Sequence, residues 1–425
     1  MYNNGMTNKQ IDGRVLNEAE ATFGGLGIAP KLLDVISKMG FATPTSIQHK
    51  AIPVAIEGKD IIGIAQTGTG KTLAFGVPMI QQILKNKKGK GLIILPTREL
   101  ALQVEEAMQE IGRVFGIKTV VLIGGASMYN QVCLIRNNPH IVIGTPGRIN
   151  DHIEKRTLSL HDVSILVLDE ADRMFDMGFA PQIKKILQVV PRNRQTMLFS
   201  ATMPDGIVKI ASTHMKLPVR VEIAKSGTTA ENVEHELFVV KREQKLSLLK
   251  KLLADYKGSV LIFLRIKHNA RKICYALRDI GISVAEIHSN RSLGQRKEAL
   301  EGFKLGRYRV LVATDIASRG IDVKGIELVI NFDLPENPED YVHRIGRTGR
   351  AGMTGKAISF CLPDQGGKVR EIEKLTRLYL PISKLPELPP VAPVKPGYRD
   401  NYASQKSRPT GAGRPHGRSN YGRRR

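Results

Sequence analysis

The chain has 425 residues, 42% of them hydrophobic, and a formal net charge of +24, which predicts two or three domains and a polyanionic partner. No apolar run approaches the ~20 residues needed to span a bilayer, so no membrane partner is expected. The three cysteines, Cys133, Cys274 and Cys361, are too dispersed for a disulfide framework or a thiolate metal site, and are expected to be reduced thiols of a cytoplasmic protein.

Residues 1–22 are polar and Asn-rich at the start, and are expected to form a flexible extension. Over residues 23–223, short apolar runs predict strands at Ile61–Ala65, Leu92–Leu95, Thr119–Ile123, Ile141–Gly144, Ile165–Leu168 and Thr196–Phe199. Amphipathic stretches such as Glu99–Phe115 and Pro181–Val190 lie between them and predict helices. This alternation predicts an α/β domain, a mostly parallel sheet with helices on both faces. Residues 224–233 are small and polar and fit a linker. The alternation restarts over 234–382, with strands expected at Val260–Phe263, Val284–Ile287, Arg309–Ala313, Leu328–Asn331 and Ala357–Cys361. Helices are expected from Lys267, Arg291 and Pro338. From residue 383 the composition turns Pro-rich and then Arg/Gly-rich, with nine Lys and Arg against two acids from Pro386 onward. Such a tail lacks the apolar surface to order itself and is expected to be disordered. Tyr398, Tyr402 and Tyr421 among its arginines suit stacking on bases.

The first chemical signal is Ala65–Thr72, AQTGTGKT, directly after an apolar run. It fits the phosphate-loop pattern G-x-x-x-x-G-K-[ST], with Ala65 in place of the usual first glycine. Gly68 and Gly70 let the backbone curl, so that the amides along Gln66, Thr67, Gly68, Thr69 and Gly70 point at phosphate oxygens. Lys71 places a point charge at the β/γ-phosphates, and the Thr72 hydroxyl suits Mg²⁺, directly or through water. A helix starting near Lys71 aims its positive end at the same anion. A second constellation, Ile165–Asp172, delivers two carboxylates from an apolar strand. Asp169 is placed to hold the Mg²⁺ shell and Glu170 to orient or deprotonate the attacking water, which favours hydrolysis over phosphotransfer. The second domain has no phosphate loop, so the nucleotide is expected to lie in a cleft shared by both domains.

Residues 169–172 read Asp-Glu-Ala-Asp, and here the chain resembles the DEAD-box RNA helicases of bacteria. The resemblance runs from Phe23 to Leu380, with motifs in family order, and implies two tandem RecA-like domains. Phe23, Gly40-Phe41 and Pro44–Gln48 match the family's Q motif, which implies that Gln48 reads adenine, that Phe23 stacks on it, and that the nucleotide is ATP. Pro96–Ala101, Gly124-Gly125 and Thr145–Arg148 match three RNA-contact segments. This implies that Pro96, Thr97, Arg98, Gly125, Thr145 and Arg148 line a sequence-independent track for single strands. Ser200-Ala201-Thr202 matches the segment that links nucleotide state to strand separation, with its hydroxyls expected to partner Asp172. In the second domain, Ala313–Asp322 implies Thr314 near the RNA backbone and Asp322 near the ribose. Tyr341–Gly352, YVHRIGRTGRAG, implies Arg347 and Arg350 as arginine fingers and His343 and Arg344 as coupling or supporting residues. Two positions depart from the family. Ile266 stands where Thr is common, leaving Arg265 as the contact there, and Ser289 stands where Gly is usual.

The resemblance implies an ATP-dependent RNA helicase. ATP and RNA close the cleft, closure separates a short duplex locally without long translocation, and hydrolysis reopens it. RNA and ATP must then tighten each other's binding by the same factor. Two alternatives are an ATP-gated RNA clamp or annealing factor and a DNA translocase. Strand displacement against annealing tests the first, and RNA–DNA competition the second. The short chain and basic tail resemble the RhlE-type bacterial group, and the tail suits ribosomal precursors or RNA-decay complexes as partners.

Overall fold

Isoleucine, valine and leucine fill the strands of two sheets in which every strand pairing is parallel. The computed structural model describes residues 22–65, 68–86, 89–223, 233–315, 326–349 and 354–389. In the first lobe, β1 (Ile61–Ile64), β2 (Lys90–Ile94), β3 (Thr119–Leu122), β4 (Ile141–Gly144), β5 (Val163–Leu168), β6 (Gln195–Ser200) and β7 (Val219–Glu222) lie in the order β3-β4-β2-β5-β6-β1-β7. The second lobe orders β8 (Val233–Val239), β9 (Val260–Leu264), β10 (Val284–Ile287), β11 (Val310–Thr314), β12 (Leu328–Asn331) and β13 (Gly355–Cys361) as β10-β11-β9-β12-β13-β8.

Helices cover both faces of each sheet, and the two-residue period of a strand feeds a core on either side. Along β6, Met197 and Phe199 enter one cluster while Leu198 enters the other. Along β9, Val260, Ile262 and Leu264 face one second-lobe cluster while Leu261 and Phe263 face the other. The helices expected between strands form at Arg98–Gly112 and Ala180–Val189, and in the second lobe at Lys267–Arg278 and Pro338–Ile345. The helix expected from Arg291 starts instead at Leu293. Ser292 caps it: its hydroxyl accepts the Gln295 N–H at 3.3 Å, and Gln295 Oε1 accepts the Ser292 N–H at 3.1 Å.

Strands β7 and β8 were not expected. Both are sheet edges, and their charged residues hide the apolar period. Val233, assigned to the linker from the sequence, opens β8. The tail also begins later than residue 383. Leu385 and Leu388 pack against the second-lobe core, and the Ser383 N–H donates to Leu237 O at 2.8 Å. The N-terminal extension, the linker up to residue 232 and the basic tail from residue 390 fall outside the described residues, apart from Thr22. Among the described residues no helix is long and apolar enough to cross a membrane.

Candidate active site

All first-lobe strands run the same way, so their carboxyl ends share one rim, and the sheet order divides that rim in two. The neighbours β5, β6 and β1 lead into Asp169–Asp172, Ser200–Thr202 and Ala65–Thr72. The neighbours β3, β4 and β2 lead into Gly124-Gly125, Thr145–Arg148 and Pro96–Glu99. One half therefore carries the segments expected to bind phosphate and the other the expected nucleic-acid track.

The phosphate loop turns through Gly68 at φ 87° and Gly70 at φ 88°, left-handed angles that residues with a Cβ avoid. It is tied from three sides. The Ala65 N–H donates to Ser200 O at 3.0 Å, Thr45 Oγ1 donates to Thr69 O at 2.7 Å, and Gln48 Nε2 donates to Gly70 O at 3.0 Å. Gln48 Oε1 accepts the Thr45 N–H at 2.9 Å, closing a capping box on the helix Ser46–Ile56. Gln48 thus braces the phosphate loop, a role its sequence position did not suggest. Phe23, expected to stack on the base, is a packed member of the first-lobe core at 5% exposure. Gln66 and Thr67 lie outside the described residues.

Lys71 opens the helix Lys71–Lys85, followed by Thr72, and is almost fully buried. Its Nζ donates to Ala65 O at 3.1 Å and lies 3.9 Å from Asp169 Oδ1. Burial pushes the Asp169 carboxyl up to about 6, against the opposing pull of Lys71. Glu170 adopts φ 52° and ψ 49°, a left-handed conformation that strains a non-glycine residue by ~1–3 kcal/mol. Its N–H donates to Asp169 Oδ1 at 2.9 Å, and Arg173 Nη1 donates to its Oε2 at 2.7 Å within the buried interior. Burial alone would raise the Glu170 carboxyl. Arg173, Lys71 and Arg347 outweigh burial and hold it below the usual carboxylate range. Among the described residues, Glu170 Oε1 is buried without a hydrogen-bond partner. One carboxylate oxygen is anchored and the other is left for a ligand.

Asp172 joins this centre to the next strand. Its Oδ2 accepts the Ala201 N–H at 2.9 Å, the Thr202 N–H at 2.8 Å and the Thr202 hydroxyl at 3.1 Å. The Ser200 hydroxyl accepts the Asp172 N–H at 3.1 Å. The two hydroxyls expected near Asp172 are both there.

On the other half of the rim the loops are cross-tied. Pro96 is buried, and Thr97 caps the helix Arg98–Gly112 through its hydroxyl, which accepts the Leu100 N–H at 3.3 Å. That cap uses one lone pair of the hydroxyl oxygen and fixes where the side chain sits on the rim. Arg98 lies over Gly125, where a Cβ would meet Nη1 at 2.5 Å. Thr145 precedes the helix Pro146–Glu154, and Arg148 Nη1 donates to Ala126 O at 3.3 Å.

The second lobe contributes Arg347, almost fully buried, whose Nε donates to His343 O at 3.2 Å. His343, Arg344 and Arg347 line a small cavity that Arg173 of the first lobe completes. Arg344 is an anchor: Nε and Nη2 grip both oxygens of Asp315 at 2.5 and 2.7 Å, and Nη1 donates to Asn331 Oδ1 at 3.1 Å. Thr314 ends β11 and is buried, whereas Arg265 is half-exposed and paired with Glu336. Asp322 and Arg350 lie outside the described residues.

Two pairs escaped the sequence reading. Arg173 follows Glu170 by three residues, a spacing that signals a helical pair. Arg296 Nη2 of the second lobe lies 2.8 Å from Glu99 Oε2 of the first, with both side chains buried. Nothing local in the sequence marks that pair, which exists only when the lobes meet.

This arrangement is that of a two-lobed P-loop nucleoside triphosphatase. The DEAD/DEAH box helicase family matches residues 45–210, and the helicase conserved C-terminal domain matches residues 244–352. The DEAD-box ATP-dependent RNA helicase CshA of Geobacillus kaustophilus is 43% identical over 370 residues, 86% of this chain and 79% of the relative. Dbp5 of S. cerevisiae, solved bound to RNA and ADP BeF3, is 30% identical, with a TM-score of 0.77 over 85% of this chain and 95% of that one. Mss116p, solved bound to ssRNA and AMP-PNP, is 28% identical, with a TM-score of 0.78 over 85% and 78%. The chain belongs to the DEAD-box ATP-dependent RNA helicases, enzymes that use ATP and bind RNA. The RhlE-type grouping expected from the tail is a finer statement than these matches make.

Proposed function

We propose that the chain couples ATP binding and hydrolysis to local, non-processive separation of short RNA duplexes and to remodelling of RNA–protein complexes. The observation that carries this reading is the divided rim, with the phosphate half and the track half on one sheet and Asp172 bonded to Ser200 and Thr202 on the phosphate side. Residues 23–223 and 233–388 are the two working domains. Lys71 and the loop amides bind the phosphates, and Gln48 meets adenine with the hydrogen and lone pair beyond those it gives the loop. Phe23 supports that edge from the core, and Asp322 meets the ribose.

Thr72 and Asp169 would hold Mg²⁺ with phosphate oxygens and water, and the orphaned, buried Glu170 Oε1 fits a water beside them. Bound Mg²⁺ supplies neutralisation of the phosphate charge. Glu170 accepts the proton of the attacking water, while Arg347 and Arg350 stabilise the charge that develops on the transferred group. Because Arg347 comes from the second lobe, hydrolysis waits for closure. RNA lies along Pro96, Thr97, Arg98, Gly125, Thr145 and Arg148, and closure brings Arg265 and Thr314 onto the same strand. A rigid track that moves by one closure step bends a strand once, which favours short duplexes. The basic tail would hold the core to ribosomal precursors or decay complexes in the cytoplasm.

Strand displacement at fixed loading-strand length tests this. Duplexes shorter than one helical turn should separate with ATP, and duplexes of several turns should not. A rate independent of duplex length would establish translocation, and acceleration of annealing alone would establish the clamp.

A further inference from the structure

In the second lobe, the helix Lys267–Arg278 buries Ala270, Ile273, Cys274 and Leu277 against the sheet. Its outer face carries a half-exposed tyrosine between two arginines. The Arg271 guanidinium carbon sits over the Tyr275 ring at 5.6 Å from the centroid, and that of Arg278 at 6.0 Å. Arg271 Nη2 also donates to the Tyr275 hydroxyl at 3.2 Å, and Arg278 Nη2 to Val284 O at 3.1 Å. The tyrosine is therefore held in place while 50% of its surface stays exposed.

This triad continues a concavity at the carboxyl end of β10. Lys267, His268, Arg271 and Arg291 line it with Asn290. The one acid among its described lining residues, Glu286, is already occupied by Arg291 and by His288 at 3.4 Å. Among the described residues, Lys267 Nζ donates only to the neutral Asn290 Oδ1, at 3.0 Å. The concavity thus keeps a net positive charge, and Arg271 belongs to both it and the triad. From Lys267 to Arg278 the helix rises ~16 Å. Cations therefore run from the second lobe's rim down one helix face, with an aromatic ring among them.

We propose that this face is a subsite for single-stranded RNA leaving the core track, with an unpaired base on Tyr275 and phosphates on Arg271 and Arg278. The chemistry is that of a stacking platform beside backbone-binding cations, which needs an unpaired base and tolerates any sequence. A duplex would present no free base face to the ring. The proposal rests on RNA binding by the core and adds to it a contact that only longer strands reach.

The test compares two RNAs on the full chain with a non-hydrolysable ATP analogue. One strand is just long enough to saturate core binding in the wild type, and the other is the same strand extended at one end or the other. Tyr275→Ala should weaken the extended strand at least about fivefold, the lower bound for one lost stack, and leave the short strand within twofold. Tyr275→Phe should restore the extended strand. Arg271→Gln combined with Arg278→Gln should reduce the salt slope by about 1.4 for the extended strand only, the value for two lost phosphate contacts. Equal effects on both strands, or none on either, would overturn the subsite while leaving core binding intact. So would an effect seen only when the extension is base-paired. Failure of the wild type to bind even the short strand would instead overturn the proposed function, and the subsite with it.

Discussion

Replacing Arg296 with alanine removes one side of the ion pair that joins the lobes. The pair is buried, with side-chain exposures of 8% for Arg296 and 6% for Glu99. Burial pushes the Glu99 carboxyl up, and Arg296 is the strongest influence opposing it, with Arg98 a weaker one. In an open cleft both groups return to water, so the substitution acts on closure and spares each lobe's own fold. Removing one partner of a buried pair costs ~3–5 kcal/mol because a charge is left uncompensated. Here Arg98 remains nearby and Glu99 can take up a proton, so we take ~2–3 kcal/mol of closure energy as the loss. That is about 30- to 160-fold weaker RNA binding in the presence of a non-hydrolysable ATP analogue. ATP binding without RNA should be unchanged. Fluorescence anisotropy with labelled single strands reads the first, and nucleotide titration the second. Glu99→Gln combined with Arg296→Met should recover much of the loss, because the orphaned charge is gone. An affinity within twofold for Arg296→Ala, or a double variant no better than the sum of the singles, would refute this reasoning.

Four further outcomes are expected. Gly70→Ala places a Cβ 2.3 Å from Gln48 Nε2 at a φ of 88°, and should cost the phosphate loop about 2 kcal/mol, read as weaker ATP binding in titration calorimetry. Glu170→Gln keeps the volume and removes the base, so kcat should fall ~10²- to 10⁴-fold in a phosphate-release assay while ATP-dependent RNA binding survives. Arg173→Met removes the largest influence that holds the Glu170 carboxyl low against burial. The carboxylate then protonates at higher pH, and the acid limb of the kcat profile should move to higher pH. His152 is held neutral, its pKa lowered first by burial and then by Arg148, with its ring nitrogens bonded to Thr157 and Gln131. As pH falls through the unfolded value near 6.5, the unfolded chain takes up the proton first, so stability is lost on acidification. Melting temperatures from pH 8 to 5.5 should fall, and less steeply in His152→Gln.

The strands legible in the sequence are those with uncharged apolar runs: most are buried on both faces, such as Ile61–Ile64 and Ile141–Gly144, and the edge strand Thr119–Leu122 shows because TVVL carries no charge. β7, with the sequence VRVE, and β8, with VEHELFV, sit at sheet edges, where one side faces water and charge breaks the run. Motif order showed which residues share a site. The sheet order, which puts β3, β4 and β2 on one side of β5, needed the folded chain, since strand neighbours are not sequence neighbours. The same limit explains the remaining differences. Gln48 carries a donor and an acceptor, which equally suit a base and the Thr45 and Gly70 backbone that it bonds here. Thr97 carries a hydroxyl that can accept a helix-capping N–H and donate to a phosphate at once, so the residue type alone did not announce the cap that it makes here. Arg173 lay within reach of a helical-spacing argument, but Glu99 and Arg296 become partners only through the meeting of two lobes.

The central claim is that ATP hydrolysis waits for RNA to close the two lobes. The most direct measurement is the steady-state ATPase rate of the full chain without nucleic acid, with single-stranded RNA and with DNA of the same sequence, using Lys71→Ala as the blank. A low basal rate that RNA alone raises strongly, and that vanishes in the blank, is the predicted result. A rate indifferent to RNA, or raised equally by DNA, would contradict it.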